Sequence, residues 1–166
     1  KLEDTFLDKS EGFNEFESIR MDIARLASEP DREDYHKAIQ EYGFTHETAK
    51  AHSENEKDMD HSPYGGQKFQ LADSPIEGKG LCATYEIEKG EKIYPARITG
   101  KRTIAGRYTN HAKEPNAKMV KRPDGDIDLV ATKQIGGCRG GELGEEITID
   151  YRQALSLQVE KQLCQE

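Results

Sequence analysis

The strongest constraint on the fold lies in residues 63–152, where short apolar runs alternate with turns that contain glycine. The runs span residues 68–72, 80–85, 92–98, 117–120, 127–132 and 146–149. Many short strands with this punctuation predict a mostly-β domain. Pro123-Asp124-Gly125-Asp126 is a strong hairpin signal between two of the runs.

Helical patterns flank this β region on both sides. Before it, apolar side chains recur at three- and four-residue steps and predict one helical face, formed by Phe13, Phe16, Ile19, Ile23 and Leu26. After it, four-residue steps predict a C-terminal helix over residues 153–165, with Leu155, Val159 and Leu163. We therefore divide the chain into a helical region, 1–62, and a β domain with a C-terminal helix, 63–166.

Two further helices are predicted inside the first region. Pro30 suits the first turn of a helix that ends at Gly43 and carries Tyr35, Ile39 and Tyr42. A third, weaker helix is predicted after residue 45. Residues 53–60 are polar and charged, which is typical of a linker or of a fraying helix end.

The second and third helices have a faint likeness to a helix-turn-helix, which binds DNA through a basic recognition helix. The candidate helix offers two lysines, Lys50 and Lys57, among four acidic residues, Glu47, Glu54, Glu56 and Asp58. Phosphate contacts dominate DNA affinity. We therefore favour a helical cap or a substrate-docking appendage, and we expect no nucleic acid among the partners.

Charge is divided unevenly between the two parts of the chain. Residues 1–62 carry 8 Lys and Arg against 17 Asp and Glu, a net charge of −9, whereas residues 63–166 carry 16 against 15, a net charge of +1. Such asymmetry suggests two functional parts. An acidic segment attracts basic partners; the alternative interpretation is a solvated helical surface.

Cysteine usage and hydropathy favour an intracellular protein. Cys82, Cys138 and Cys164 are widely spaced and form no C-x-x-C pair, so they indicate neither a zinc site nor a disulfide framework. The sequence has no apolar signal segment at its start and no run of ~18 apolar residues. We expect a cytoplasmic location, or a nuclear one in a eukaryote, with no metal and no membrane partner. The sequence leaves the oligomeric state open.

Three polar motifs lie in order along the β region. The first is SPIEGKGL at residues 74–81, the second is GRYTNHAKEPN at residues 106–116, and the third is GEEITIDY at residues 144–151. The two glycines of the first motif allow a backbone to approach a ligand closely. The Asn110 side chain offers both a donor and an acceptor, which suits a ligand that carries an ammonium and a carboxylate.

Together these motifs resemble the signatures of the SET-domain protein-lysine methyltransferases, which are a GxG, an N-H-x-x-x-P-N and an E-E-(I/L)-x-x-D-Y in this order. The resemblance covers residues 68–152. It implies a β-clip of short strands, in which the chain around the second motif threads a loop to form a pseudoknot, an exception to ordinary chain topology. Here that fold would carry a small α-helical N-terminal appendage and a C-terminal helix.

The resemblance also implies a cofactor and a set of site residues. The cofactor is S-adenosylmethionine, and the residues that would bind it are Gly78, Lys79, Gly80, Leu81, Arg107, Tyr108, Asn110 and His111. The catalytic residue would be Tyr151, with its hydroxyl at the transferring methyl group. The substrate channel would be formed by Tyr94, Tyr108, Ile149 and Tyr151.

Lysine is protonated near neutral pH, with an ordinary pKa of ~10.4. An apolar channel beside a sulfonium favours the neutral amine, and tyrosines give such a channel an apolar wall with a polar tip. Family members often have Phe or Tyr at the position of Ile149. A tyrosine there can hold a water that restricts further methylation, so we expect a product that is not confined to monomethyl-lysine.

The chain departs from the family pattern in three places. The expected aromatic residue and glycine after the second strand are not clearly matched, which leaves the register of Tyr94 open. Only a short segment separates Gly100 from Arg107, where larger members carry a long insert that helps to choose the substrate. No cysteine cluster follows Tyr151, so the C-terminal helix or the acidic N-terminal part would have to close the site.

The sequence thus predicts a compact S-adenosylmethionine-dependent protein-lysine N-methyltransferase. Its partner would be a protein with an accessible lysine, for which a basic tail is a reasonable form. The alternative is a catalytically silent SET-like module that binds a partner. Asn110, His111 and Tyr151 are all present, so the motifs give no sign of decay.

Overall fold

The computed structural model describes Glu15 and residues 18–157, and their fold is mostly β, as the sequence predicts. In this part of the chain eight strands form two four-stranded sheets. The strands are β1 (Phe69–Asp73), β2 (Lys79–Ala83), β3 (Lys92–Ile98), β4 (Lys101–Arg102), β5 (Asn110–His111), β6 (Ala117–Lys121), β7 (Ile127–Ala131) and β8 (Glu146–Ile149). The six runs read from the sequence correspond to β1, β2, β3, β6, β7 and β8, and the short strands β4 and β5 were not predicted.

The sheet order explains why three distant motifs meet. The first sheet runs β1-β2-β8-β5 and the second runs β4-β3-β7-β6. Strand β2 of the first motif pairs antiparallel with β8 of the third, with Leu81 opposite Ile147. Strand β5 of the second motif pairs in parallel with β8, with His111 opposite Ile149. Strand β8 therefore has the first motif on one edge and the second on the other.

The hydrophobic core lies between the sheets and is built from the inward-facing residues of their strands. Its largest fully buried members are Leu81, Ile87, Leu129, Ile135 and Ile147, each with 0% exposure. The turn between β6 and β7 is the predicted hairpin, in which the Arg122 N–H donates to the Asp126 carbonyl at 2.7 Å. Gly125 takes a φ of 94° there, which L side chains rarely adopt.

The helices are α1 (residues 18–27), α2 (Glu29–Glu41), α3 (His46–Ser53), α4 (Ile104–Tyr108) and α5, which is described over residues 151–157. The structure confirms α2 with Pro30 in its first turn, and Gly43 follows it with a φ of 82°. It also confirms α3, because the Thr45 side chain and Thr48 form a capping box at its start. Helix α4 was not predicted.

The first predicted helix is only partly within the described residues. Residues 18–27 are helical, and Phe13 and Phe16 lie outside the described residues. The expected apolar face is exposed rather than covered by the described residues, since Ile19, Ile23 and Leu26 are 57%, 61% and 71% exposed. At the other end, α5 begins at residue 151, two residues earlier than predicted, and Val159 and Leu163 lie outside the described residues.

The polar segment after α3 is docked on the β domain and is not a free linker. Residues Glu56–Asp58 form a 3₁₀ turn. The Asp58 carboxylate accepts from Arg102 Nε at 2.9 Å and from Arg97 Nη1 at 3.3 Å. Acidic side chains of the first region thus meet arginines of the second. Part of the negative charge of the first region is therefore neutralised by ion pairs within the chain. No described helix combines the length and apolar character that a membrane crossing requires.

Candidate functional site

A cavity of about 500 Å³ lies between the N-terminal helices and the β domain, and all three motifs contribute to its lining. Helices α2 and α3 form one side, and α5 contributes Ala154 and Leu155. The predicted site residues that line it are Gly78, Lys79, Arg107, Tyr108, Asn110, His111, Ile149 and Tyr151. A cavity of this size matches a small-molecule site. Eight of the predicted site residues therefore line one cavity.

Asn110 joins the glycine turn to the third motif. Its Nδ2 donates to the carbonyl oxygens of Glu77 at 3.0 Å and Lys79 at 3.3 Å, and to Glu146 Oε2 at 2.9 Å. Gly80 is necessary for this approach, because a Cβ there would overlap the Glu146 carboxylate and lie 3.1 Å from Asn110 Nδ2. The hydrogen bonds of the described residues leave Asn110 Oδ1 as an acceptor beside the cavity.

Glu146 is the carboxylate that holds this junction. Ser74 Oγ donates to its Oε1 at 2.7 Å, while Asn110 donates to its Oε2. Burial raises the pKa of Glu146, and the two hydrogen bonds oppose that rise because they favour the charged form. The Glu146 carboxylate therefore fixes the Asn110 amide and connects the first motif, through Ser74, to the second motif, through Asn110.

His111 is fully enclosed and its tautomer follows from its two neighbours. The Tyr151 backbone N–H donates to Nδ1 at 3.0 Å, so Nδ1 is the acceptor nitrogen. Nε2 then carries the hydrogen and donates to Asp34 Oδ2 at 2.7 Å. Asp34 also accepts from Arg152 Nη1 at 2.9 Å and Nη2 at 3.1 Å. The Arg152 hydrogen bonds are the largest cause, ahead of His111, of a fall in the pKa of Asp34 to about 2.

Tyr151 places its phenol inside the cavity wall. Its hydroxyl donates to the Thr109 carbonyl at 2.9 Å, and its ring lies edge-on to His111, with 5.2 Å between ring centroids. Burial raises the pKa of Tyr151, with smaller contributions from the negative charges of nearby groups. The phenol is therefore neutral at physiological pH. It can donate or accept a hydrogen bond, but it is not a source of phenolate.

Arg107 and Tyr108 form the wall at the end of helix α4. The Arg107 guanidinium lies over the Tyr108 ring, 4.9 Å from its centroid, and Nη1 donates to Glu56 Oε1 at 2.7 Å. Arg107 Nε is buried and has no hydrogen-bond partner among the described residues. A buried donor without a partner costs free energy unless a ligand or water satisfies it. Gly106 lets α4 pack closely, since a Cβ there would overlap the Ala96 carbonyl.

Three predicted site residues lie away from the cavity lining. Leu81 is fully buried in the core, and Gly80 lies behind the Asn110–Glu146 contact. Tyr94 is 4% exposed and packs on Phe69 and Tyr64, and its hydroxyl accepts from the Tyr64 N–H at 3.1 Å. Its side chain therefore belongs to the core and not to the wall of this cavity, because the register of β3 turns it towards β1.

Sequence reasoning missed several residues that shape the site. Glu146 and Ser74 lie within the quoted motifs, and their place there was the available signal. Asp34 and Tyr35 gave no signal, because they come from a helix whose docking site on the β domain the sequence does not encode locally. Tyr35 lines the cavity and packs edge-on against Tyr151, with 5.6 Å between ring centroids.

The arrangement can bind a zwitterionic ligand. Arg107 Nε supplies a positive donor at the cavity, and the Asn110 side chain and the exposed carboxylate of Glu77 supply acceptors, whereas the Lys79 ammonium pairs with Asp73 at 2.6 Å. The tyrosine rings supply faces that attract a cation. Since these groups surround one space, a ligand that carries both charges can be oriented there.

Comparisons with known proteins add little to this geometry. No family model matches the chain, and no curated protein matches it. One similar solved structure is a crystal structure of a proposed histone methyltransferase from Plasmodium falciparum. It has a TM-score of 0.36 and 18% sequence identity, and the match covers 52% of this chain and 94% of that chain. A likeness at that TM-score carries no argument about fold or activity, so the chemistry of the site rests on its own residues.

Proposed function

We propose that the protein is an S-adenosylmethionine-dependent protein-lysine N-methyltransferase. The observation that carries this proposal is the convergence of residues from three motifs, far apart in the chain, on one cavity of about 500 Å³. Their order along the sequence is the order of the SET-domain signatures. The parallel pairing of β5 with β8 brings the Asn-His pair beside the tyrosine that ends the third motif.

The described residues fit the amino-acid part of that cofactor. Its carboxylate suits the unpartnered Arg107 Nε, and its ammonium suits the Asn110 Oδ1 acceptor, the carbonyl groups of the glycine turn and the Glu77 carboxylate. The Asn110 amide is already fixed by Glu146, which Ser74 holds in turn, and Arg107 is held by Glu56. A preorganised set of this kind binds without a large reorganisation cost.

When bound, the cofactor supplies a methyl group on a sulfonium. That group would be transferred to a neutral amine, with the positive charge passing to nitrogen and a neutral thioether as the leaving group. The amine must have lost its proton to solvent beforehand, because only its free lone pair can attack. The chain contributes position and electrostatics to this step.

In this proposal Tyr151 is a polar contact between the methyl donor and the target amine. Its neutral hydroxyl is fixed by the Thr109 carbonyl, so the oxygen lone pairs can face a group in the cavity. Those lone pairs can orient the incoming amine and attract the polarised methyl carbon. The raised pKa of Tyr151 argues against a role as general base at neutral pH.

The substrate in this proposal is an intracellular protein with an accessible lysine, and a basic tail is its expected form. Acidic side chains remain exposed near the cavity, among them Glu77 and Glu54. Ile149 lines the cavity and offers no hydroxyl to hold a water beside the target nitrogen. The enzyme should therefore add more than one methyl group to the same lysine.

Two measurements test the proposal. Calorimetry with S-adenosylhomocysteine should detect binding to the wild-type protein, and Asn110→Ala should weaken that affinity by about 10-fold, the value of one or two lost hydrogen bonds. Tyr151→Phe should bind S-adenosylhomocysteine as well as wild type but lower the turnover number by ~10-fold or more. Tyr64→Phe, a tyrosine outside the cavity lining, is the matched control.

Transfer itself is measured by incubating the protein with radiolabelled S-adenosylmethionine and a cell lysate, followed by identification of the labelled protein. Binding of S-adenosylhomocysteine without any labelled protein would favour a silent partner-binding module of the same fold. Absence of S-adenosylhomocysteine binding would contradict the methyltransferase proposal altogether.

A further inference from the structure

Helix α2 is fixed to both sides of the cavity. On the side of the first motif, Arg32 Nη1 donates to the Pro75 carbonyl at 2.6 Å. On the other side, Asp31 Oδ1 accepts from the Lys113 N–H at 2.9 Å, and Asp34 pairs with His111 and Arg152. The helix therefore bridges the first and second motifs, and its residues between these anchors are held in place over the cavity.

Tyr35 is the residue that α2 presents to the cavity next to Tyr151. The two phenol rings meet edge-on at 5.6 Å, and the Tyr35 hydroxyl lies 3.3 Å from Nδ1 of His46, the first residue of α3. The hydroxyl thus contacts helix α3 while the ring lines the cavity. Burial raises the pKa of Tyr35, and the negative charge of Glu77 raises it further, which places that carboxylate within electrostatic reach.

These neighbours form a surface suited to a cation. Two tyrosine rings and the Glu77 carboxylate line the same cavity, with Ile39 beside them as an apolar contact. Aromatic faces attract an ammonium, and the attraction grows when the site is shielded from water. In methyl transfer the positive charge ends on the target nitrogen, so such a surface is more favourable for the product-like transition state than for the neutral amine.

We propose that Tyr35 is a specificity-determining residue of the methyl-transfer site, whose ring forms, with Tyr151, the wall that receives the target lysine side chain. This inference rests on the proposed function. It makes helix α2 an integral part of the active site, in place of the long insert that larger members of the family use.

The test compares Tyr35→Phe, which keeps the ring, with Tyr35→Leu, which keeps an apolar side chain without a π face. Tyr42→Phe is the matched control, because Tyr42 follows the same helix and its hydroxyl donates to the Arg152 carbonyl outside the cavity lining. Calorimetry with S-adenosylhomocysteine should give dissociation constants within about threefold of wild type for all three variants, since the inference places the ring against the lysine side chain and not against that ligand.

Contact with the lysine side chain is measured directly by saturation-transfer NMR. The probe is Nα-acetyl-lysine amide, added to protein saturated with S-adenosylhomocysteine. Transfer should be strongest at the ε-methylene protons for wild type, Tyr35→Phe and Tyr42→Phe, and it should be lost in Tyr35→Leu. In methylation assays kcat/KM for a lysine-rich peptide such as poly-lysine should fall by about 10–30-fold in Tyr35→Leu and by less than threefold in Tyr35→Phe, the range expected for a desolvated cation–π contact.

The outcomes separate the two proposals. If wild type binds S-adenosylhomocysteine and Tyr35→Leu keeps both the NMR transfer and kcat/KM, Tyr35 does not contact the substrate and this inference is overturned while the proposed function stands. If Tyr35→Leu and Tyr35→Phe lose S-adenosylhomocysteine affinity together, Tyr35 supports the cofactor and the inference is again overturned. If wild type binds no S-adenosylhomocysteine, both proposals fail.

Discussion

Substitution of Asp34 by Asn tests how firmly the N-terminal helices are joined to the β domain. The Asp34 carboxylate makes one hydrogen bond to His111 and two to Arg152, and its side chain is 18% exposed. An Asn amide oxygen can still accept from His111 Nε2, so the variant removes the charge and keeps that tautomer. The change removes the charge and also the hydrogen bond from Arg152 Nη2, because the Asn Nδ2 that takes the place of Oδ1 cannot accept.

The magnitude follows from the pKa of Asp34, which falls from 3.8 to about 2 on folding. A tenfold change in a proton-binding constant corresponds to about 1.4 kcal/mol, so the fall corresponds to about 2.5 kcal/mol, and solvent screening of this partly exposed pair reduces the contribution to about 2 kcal/mol at neutral pH. The folded pKa is depressed, so this contribution is present above the unfolded pKa and is lost as pH falls through the folded value. At pH 3 about half of it remains, or roughly 1 kcal/mol.

The assay is urea denaturation of wild type and Asp34→Asn at pH 7, 4 and 3, followed by circular dichroism. The free energy of unfolding should differ by about 2 kcal/mol at pH 7 and pH 4 and by about 1 kcal/mol at pH 3. Glu33→Gln, an exposed carboxylate on the same helix, is the control and should match wild type. A difference that is absent at pH 7, or that stays the same size down to pH 3, would refute the reasoning.

Three more outcomes are expected. Ile149→Tyr should shift the product towards monomethyl-lysine in mass spectrometry after exhaustive reaction, because a hydroxyl there can hold a blocking water; wild type that stops at one methyl group would contradict this. Gly106→Ala should lower the free energy of unfolding by at least ~2 kcal/mol, since its Cβ would overlap the Ala96 carbonyl; an unchanged urea midpoint would show that α4 can move aside. Glu146→Gln should weaken S-adenosylhomocysteine binding about 10-fold because the Asn110 and Ser74 contacts lose a charged partner, and calorimetry that gives wild-type affinity would argue that Asn110 needs no support.

Local patterns in the sequence were sufficient for most of the β domain. Six of the strands were read from runs of apolar residues between glycine turns, and the hairpin at residues 123–126 from its turn chemistry. Helices α2 and α3 followed from Pro30, Gly43 and residue spacing. Strands β4 and β5 were missed because each has two residues, too few for a period.

The exposed face of α1 shows the limit of a periodicity argument. Ile19, Ile23 and Leu26 have the spacing of a buried stripe, yet they are exposed within the described residues. Spacing reports which side chains share a face of a helix, but not whether another element covers that face. The same limit applies to Tyr94, which the family pattern assigned to the channel and the sheet register placed in the core.

The site residues also fall into two groups, those that the sequence predicts and those that only the tertiary structure shows. Its motif residues, among them Asn110, His111 and Tyr151, could be read from the sequence because each motif is continuous in the chain. Their partners could not: His111 meets Asp34 across 77 positions, Asn110 meets Glu146 across 36, and Arg152 meets Asp34 across 118. Strand pairing around β8 and the docking of α2 decide these contacts. Both depend on burial and charge pairing between distant segments, which a local residue pattern does not specify.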